Sequence, residues 1–325
     1  MKNESYQFTG IYKDIFISYL NYKRSLGFTY DISTIRELEK LNLYLNCFCQ
    51  DEIILTEEMA RGYVETKRNL SSKSIHSCEC RVRQLGIFLK QMGYKNIYVY
   101  PENHVKVITD FVPYVFSREE IKKIFEATNS IKSIKNNSTK LFYQTLLRLL
   151  YATGMRISEA LSLKIHDINL NKGIITVHAG KGHVSRLIPV SSSMLQWLKA
   201  YYCQYGKYHK EYFFESPAGA KRNRSPVGYY FQKKILTVAG IPRKPDNTGP
   251  RLHDLRHTFA CHCLDRMIAD GKDPYCALPY LSTYLGHKGI ESTEKYLHLT
   301  EEHFKKLTDA SHHIYEESFG ERHET

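Results

Sequence analysis

Residues 285–298 read Leu285-Gly286-His287-Lys288-Gly289-Ile290-Glu291-Ser292-Thr293-Glu294-Lys295-Tyr296-Leu297-His298, and the spacing of three of them decides how the chain is read. Gly286 is placed to end one helix and to leave the His287 imidazole at its boundary. After a short polar turn, Ser292-Thr293 is predicted to cap a short helix carrying Tyr296, nine residues beyond His287. Count alone gives Tyr296 no distinction, since the chain has 25 tyrosines. Its setting singles it out.

Working outward, three earlier segments carry polar groups in similarly exposed local settings. His253-Asp254-Leu255-Arg256-His257 places His253 and Arg256 three apart, on one face of a helix. The same five residues resemble a zinc-protease His-Glu-x-x-His helix with Asp for Glu. Arg256 inside such a site would repel the metal, and no third ligand is evident, so a metal is not expected there. Gly180-Lys181-Gly182-His183 sets Lys181 between glycines at a predicted hairpin tip. It lacks the frame and the Ser or Thr of a nucleotide phosphate loop. Ala152-Thr153-Gly154-Met155-Arg156-Ile157-Ser158-Glu159-Ala160-Leu161 puts Arg156 just after a glycine turn, at a helix start that aims it out of the core. Taken singly, each of these is an ordinary surface arginine, turn lysine or helix histidine.

Together, in this order and spacing, the segments resemble the tyrosine recombinase (phage integrase) family. They are also similar to the catalytic domain of type IB topoisomerases. The resemblance is detailed from about 116 to 298; over residues 1–110 it rests on helical character alone. It implies that Tyr296 attacks a DNA phosphodiester and forms a 3′-phosphotyrosyl bond. Arg156 and Arg256 would clamp the non-bridging oxygens, His253 would handle protons and Lys181 would protonate the leaving 5′-oxygen. His287 completes the set, whereas the neighbouring His183 has no such support. Residue chemistry agrees with these roles. Strand transfer needs a nucleophile, charge stabilisation of a pentavalent phosphorus and an acid for the leaving oxygen. Paired guanidinium forks locate phosphate oxygens better than point charges do. No cofactor or metal is implied.

Composition agrees with a polyanionic partner. The chain has 325 residues, 42% hydrophobic and 25% charged, with net charge +12. Residues 1–110 carry 15 basic and 13 acidic side chains, whereas 111–325 carry 31 and 21, so the second part is the stronger electrostatic candidate. The eight cysteines include three Cys-x-Cys pairs. Their spacing is not the usual zinc pattern, and they lie in helix-like stretches, which points to reduced thiols. The N-terminus lacks an apolar signal core and no run reaches membrane-span length, so a soluble, cytoplasmic protein is expected.

Periodicity predicts a mainly α chain with a small antiparallel β-sheet. Residues 1–100 should form a helical, SAM-like core-binding domain. Its stripes are Ile11, Ile15, Tyr19 and Tyr22; then Leu38, Leu41, Leu45 and Phe48; and then Cys78, Val82, Leu85 and Leu89. Thr56 is expected to cap a short helix between the last two. Periodicity fades from Tyr94 to Phe116, giving a linker placed at 101–116. Ser117-Arg118-Glu119-Glu120 is a capping box opening a mixed α/β catalytic domain over 117–310. Within it, Leu141 to Tyr151 should be helical, and Ile174 to His178 and Val184 to Val190 should form a hairpin. A tail, 311–325, follows.

The resemblance further implies double-stranded DNA with specific recombination sites as partner, and a Holliday-junction intermediate. It implies a homotetramer on synapsed DNA, a monomer or dimer when free, and room for a directionality factor. The segment Glu301 to Ile314 would dock on a neighbouring protomer. The interval between Arg256 and His287 looks longer than in compact chromosome-dimer resolving members, which tilts the expectation toward integration or excision of a mobile element. The alternatives are resolution of chromosome or plasmid dimers by a Xer-like enzyme, a topoisomerase that relaxes without exchange, and an accessory protein that binds DNA without cutting. The last predicts a missing catalytic residue, and none of the six is missing.

Overall fold

The computed structural model describes residues 7–28, 30–48, 51–102, 113–132, 138–178, 185–241, 249–287, 289–294 and 296–297. The chain divides into two compact units, Met1–Phe111 and Val112–Thr325.

The first unit is helical: Lys13–Ser25 (α1), Ile32–Leu45 (α2), Glu57–Glu65 (α3) and Ser72–Gln91 (α4). Asp31, Thr56 and Ser71 each cap the following helix by accepting a backbone N–H, Thr56 as expected from the sequence. Leu38, Leu41 and Leu45 of α2 meet Cys78, Val82, Leu85 and Leu89 of α4 in one apolar core. In α1 the buried stripe is Ile15, Phe16, Tyr19 and Leu20, while Ile11 and Tyr22 are exposed. The helix begins only at Lys13, so the expected stripe starts outside it. Helical periodicity fades at Tyr94, but the packed chain continues beyond it. Tyr98 N–H donates to Leu55 O, and Tyr100 is buried in the same core. The aromatic residues there defeat a helical periodicity test because they pack as an extended segment.

The second unit opens with the Ser117 capping box, in which Ser117 and Glu120 satisfy each other's backbone donors, at the head of Arg118–Ala127 (α5). Phe116, inside the expected linker, is fully buried in this unit's core, and its N–H donates to the Thr258 hydroxyl. Next come Ser138–Thr153 (α6) and the short Ile157–Ala160 (α7). Three antiparallel strands follow in the order Ile168–Asn169 (β1), Ile174–Val177 (β2) and Arg186–Pro189 (β3). Ile175 pairs with Ile188, both buried, so the sheet's inner face is fixed by register. The two-residue β1 was not expected; it is too short to leave a period in the sequence. The expected hairpin turn, Ala179 to Gly182, lies outside the described residues.

The remainder is helical: Ser192–Gln204 (α8), Arg224–Tyr230 (α9), a π-turn at Phe231–Ile235, Leu236–Val238 (α10), Asp254–Ala269 (α11) and Pro274–Leu285 (α12). Helix α6 packs on α8 and α11, and α11 on α12. Cys78 and Cys80 share α4, and Cys261 and Cys263 share α11; in each pair one thiol is buried and the other less so. Among the described residues, no helix is long and apolar enough to cross a membrane.

Candidate active site

Two helix C-termini meet at one place. Helix α6 stops at Thr153, and the chain turns through Gly154 at φ +59°. A side chain there would be strained, and its Cβ would fall 2.3 Å from Phe259 Cδ1 and 2.9 Å from Leu285 Cδ2. The glycine therefore lets the end of α6 press against α11 and α12. Helix α12 ends in the left-handed Gly286 (φ +67°), with Gly286 and His287 N–H groups returned to Thr283 and Ser282 carbonyls.

A helix C-terminus leaves carbonyls without intrahelical donors and carries partial negative charge. Arg256, in the first turn of α11 and 2% exposed, answers two such ends at once. Its Nη1 donates to Gly154 O at 2.8 Å and its Nη2 to Leu285 O at 2.9 Å. Nη2 also lies 2.8 Å from His287 Nε2. An arginine nitrogen only donates, so Nε2 accepts and the neutral imidazole carries its proton on Nδ1, 2.6 Å from the Thr293 hydroxyl. Burial and the nearby Arg156 charge lower the Arg256 pKa to about 10.

Tyr296 is fully buried beside this guanidinium. Its hydroxyl lies 3.0 Å from His257 Nδ1, and its ring is within 18° of parallel to that of His287. Burial pushes its pKa up to about 12, against the opposing pull of Arg256 and Arg156. The small core under it is built from Cys261, Leu264, Leu278, Leu281 and Leu285. Thr293 does not act as the expected helix cap. The turn is closed by the Ile290 carbonyl accepting from Thr293 and Glu294 N–H, which leaves the Thr293 hydroxyl for His287.

Arg156 stands at the N-cap of α7, half-buried, with its backbone N–H and Nη1 both donating to Glu159 at 2.9 Å. The same carboxylate takes Arg186 Nη2 at 2.8 Å and Nη1 at 3.3 Å, and Arg186 Nε donates to Tyr284 O. Burial raises the Glu159 pKa, but hydrogen bonds and charge from Arg186 and Arg156 outweigh it and hold the group at about 2. Two guanidinium groups thus share a single carboxylate, and the Arg256 charge lies within electrostatic reach of it, an excess of positive charge suited to an anion.

His253 occupies the N-cap of α11 and is exposed, whereas Arg256 is buried, so the expected common face is split between surface and interior. The His253 ring meets that of His257 edge-on, with centroids 4.8 Å apart. Arg156, Arg256, His287 and Tyr296 are thus brought together, and His253 joins them through His257. Lys181 and His183 lie outside the described residues. Three participants were not singled out from sequence. Glu159 stands in the quoted Arg156 segment and signals itself as the third residue after the cap. His257 directly follows Arg256 within the quoted His253 segment, where nothing but its neighbour sets it apart. Arg186 had no signal beyond its place on a strand.

Residues 115–303 match the Phage integrase family. A Sinorhizobium fredii protein described as an integrase/recombinase is 34% identical over 200 residues, covering 57% of this chain and 61% of that one. Tyrosine recombinase XerA of Pyrococcus furiosus is 32% identical over 199 residues, covering 61% and 62%. The matches therefore span about three fifths of these two relatives' own length. Among solved structures, the XerH site-specific recombinase bound to difH substrate in a pre-cleavage complex superposes with a TM-score of 0.61 at 20% identity, covering 82% of this chain and 76% of that one. That likeness establishes the fold.

Proposed function

The chain belongs to the phage integrase family of tyrosine recombinases, and from that premise we propose that it performs site-specific DNA recombination, with Tyr296 as nucleophile. Tyr296 Oη attacks the scissile phosphorus, the bond to the 5′-oxygen breaks, and a 3′-phosphotyrosyl link forms. The phosphodiester energy is kept, so the freed 5′-hydroxyl of a partner strand reverses the step without ATP. Arg156 and Arg256 stabilise the charge of the pentavalent phosphorus. His253, exposed at the head of α11 and packed edge-on against His257, is the candidate acceptor of the phenol proton once Tyr296 has left its resting contact with His257. Lys181, outside the described residues, is the candidate acid for the leaving oxygen.

One observation carries this reading. Arg256, 31 residues before His287, shares with His287 and Tyr296 one nest in which the phenol, two imidazoles and a guanidinium touch. A fully buried hydroxyl has no room for a phosphodiester, so productive DNA binding must first draw Tyr296 out of its contact with His257. The specific DNA site, a tetramer assembled on two paired sites, the docking of Glu301 to Ile314 on a neighbour, a directionality factor and the movement of a mobile element complete the proposal.

Covalent trapping tests it. Wild type and Tyr296→Phe are incubated, without added metal, on candidate DNA nicked near the cleavage point. A denaturant-stable adduct in wild type alone supports the proposal. An adduct that persists in the variant, or none on any DNA that the protein binds tightly, rejects it.

A further inference from the structure

Outside the arginine nest, two imidazoles converge on one buried carboxylate. We propose that His166, Asp167 and His178 form a binding site for a divalent transition-metal ion, with Zn2+ as the ion best suited to it.

Asp167 closes the turn Ile165–Asp167 and is 4% exposed. Its Oδ2 accepts the Lys164 N–H at 2.8 Å, which fixes the carboxylate and turns Oδ1 toward the surface. His178 Nε2 lies 2.7 Å from Oδ1 and His166 Nε2 3.5 Å from it, and all three ligand atoms lie within 4.8 Å of one another. The scaffold beneath is fixed. Asp167 runs straight into β1, Ile168 of β1 pairs with Ile175 of β2, and His178 follows the last residue of β2.

A tetrahedral zinc with bonds of about 2.0–2.1 Å places neighbouring ligand atoms roughly 3.3 Å apart. The His166 pair is already near that separation, and the His178 pair reaches it by opening about 0.6 Å. Both rings are free to make that adjustment, with side-chain exposures of 75% and 65%. A hydrogen bond between His178 and Asp167 explains one imidazole. It does not explain the second aimed at the same oxygen. Two imidazoles and a carboxylate suit Zn2+ and its first-row neighbours rather than Mg2+ or Ca2+, which prefer all-oxygen shells. Water would fill the remaining position. The ion would pin the turn at 165–167 to the end of β2, three residues before Lys181 in the sequence, and it shares no residue with the Tyr296 nest.

The test uses the full chain, stripped of metal and without DNA, so its outcome is independent of the recombination proposal. Zn2+ is titrated in competition with a chromophoric indicator into wild type, His166→Gln and His178→Gln. Counting the difference between proteins removes any contribution from the cysteines. Wild type should bind one more zinc ion than either variant. Each variant should weaken that site by more than the roughly 10–100-fold that loss of a ligand's mere hydrogen-bond partner costs. Zn2+ should also raise the melting temperature of wild type but not of the variants, whose metal-free melting should match wild type because both side chains are exposed. Equal zinc stoichiometry and affinity in all three proteins, or no zinc uptake by wild type, would overturn the proposal.

Discussion

The floor and the rim of the candidate site use the same residue types under opposite physical conditions. On the floor, Arg256 and Tyr296 are buried, and the guanidinium is engaged by two helix ends and an imidazole. On the rim, Arg156 is half-buried and His253 exposed, with Arg156 held by Glu159 alongside Arg186. The floor is therefore part of the framework, and on the proposed mechanism it must rearrange before it can act. The rim is already open to a ligand, and its stabilising contact is an ion pair that survives partial loss. Two arginines with one proposed task should thus differ sharply in what their removal does to folding.

The largest expected contrast is between Arg256→Ala and Arg156→Ala. Each should lower DNA cleavage by roughly 10²–10³-fold, the usual cost of one charge-stabilising donor. Only Arg256→Ala should also destabilise the fold, by roughly 3 kcal/mol, because two carbonyls and an imidazole nitrogen lose their donor in a buried place. Arg156→Ala should stay within about 1 kcal/mol of wild type, since Glu159 keeps Arg186. Denaturant melts of both variants beside a cleavage assay decide it; equal stabilities would erase the distinction between floor and rim.

Glu159→Gln sharpens the comparison from the rim side. Breaking its pairing with the mostly buried Arg186 should cost roughly 3 kcal/mol at neutral pH. The Glu159 pKa is depressed from 4.5 to about 2, so its contribution is complete above the ordinary carboxylate range and is lost as pH falls toward 2. Wild-type stability should therefore fall more steeply than that of the variant between those values. Parallel acid titration curves would contradict the pairing.

Gly154→Ala, placed where the end of α6 meets α11 and α12, should cost roughly 1–3 kcal/mol through its left-handed backbone alone, and more through the clash with Phe259. A thermal melt indistinguishable from wild type would mean that this close approach is not required. The smallest effect is the coupling of His257 to Tyr296. A double-mutant cycle with His257→Phe and Tyr296→Phe should return about 1 kcal/mol. Strict additivity would remove His257 from the site.

Most of the helical framework was legible because amphipathic stripes and caps leave periodic marks. Leu38, Leu41 and Leu45, the Thr56 cap and the Ser117–Glu120 box all stand where the pattern put them. What escaped was short or aperiodic: the two-residue β1, and the extended segment through Tyr98 and Tyr100, whose aromatic rings pack by tertiary contact. In the site, the residues projecting from turns and helix starts were legible in motif order. Their partners were not, because Arg186 reaches Glu159 from a strand and His257 reaches Tyr296 across 39 positions. Such pairings exist only after folding.

The central claim is that the buried phenol of Tyr296 is the atom that joins DNA. The most direct measurement is digestion of the trapped protein–DNA complex with trypsin, followed by mass analysis of the peptide that retains nucleotide. Cleavage after Lys295 and Lys305 would release the peptide spanning 296–305, whose sole tyrosine is Tyr296. The expected result is nucleotide mass on that peptide and on no other. Nucleotide attached to any other peptide would contradict the assignment.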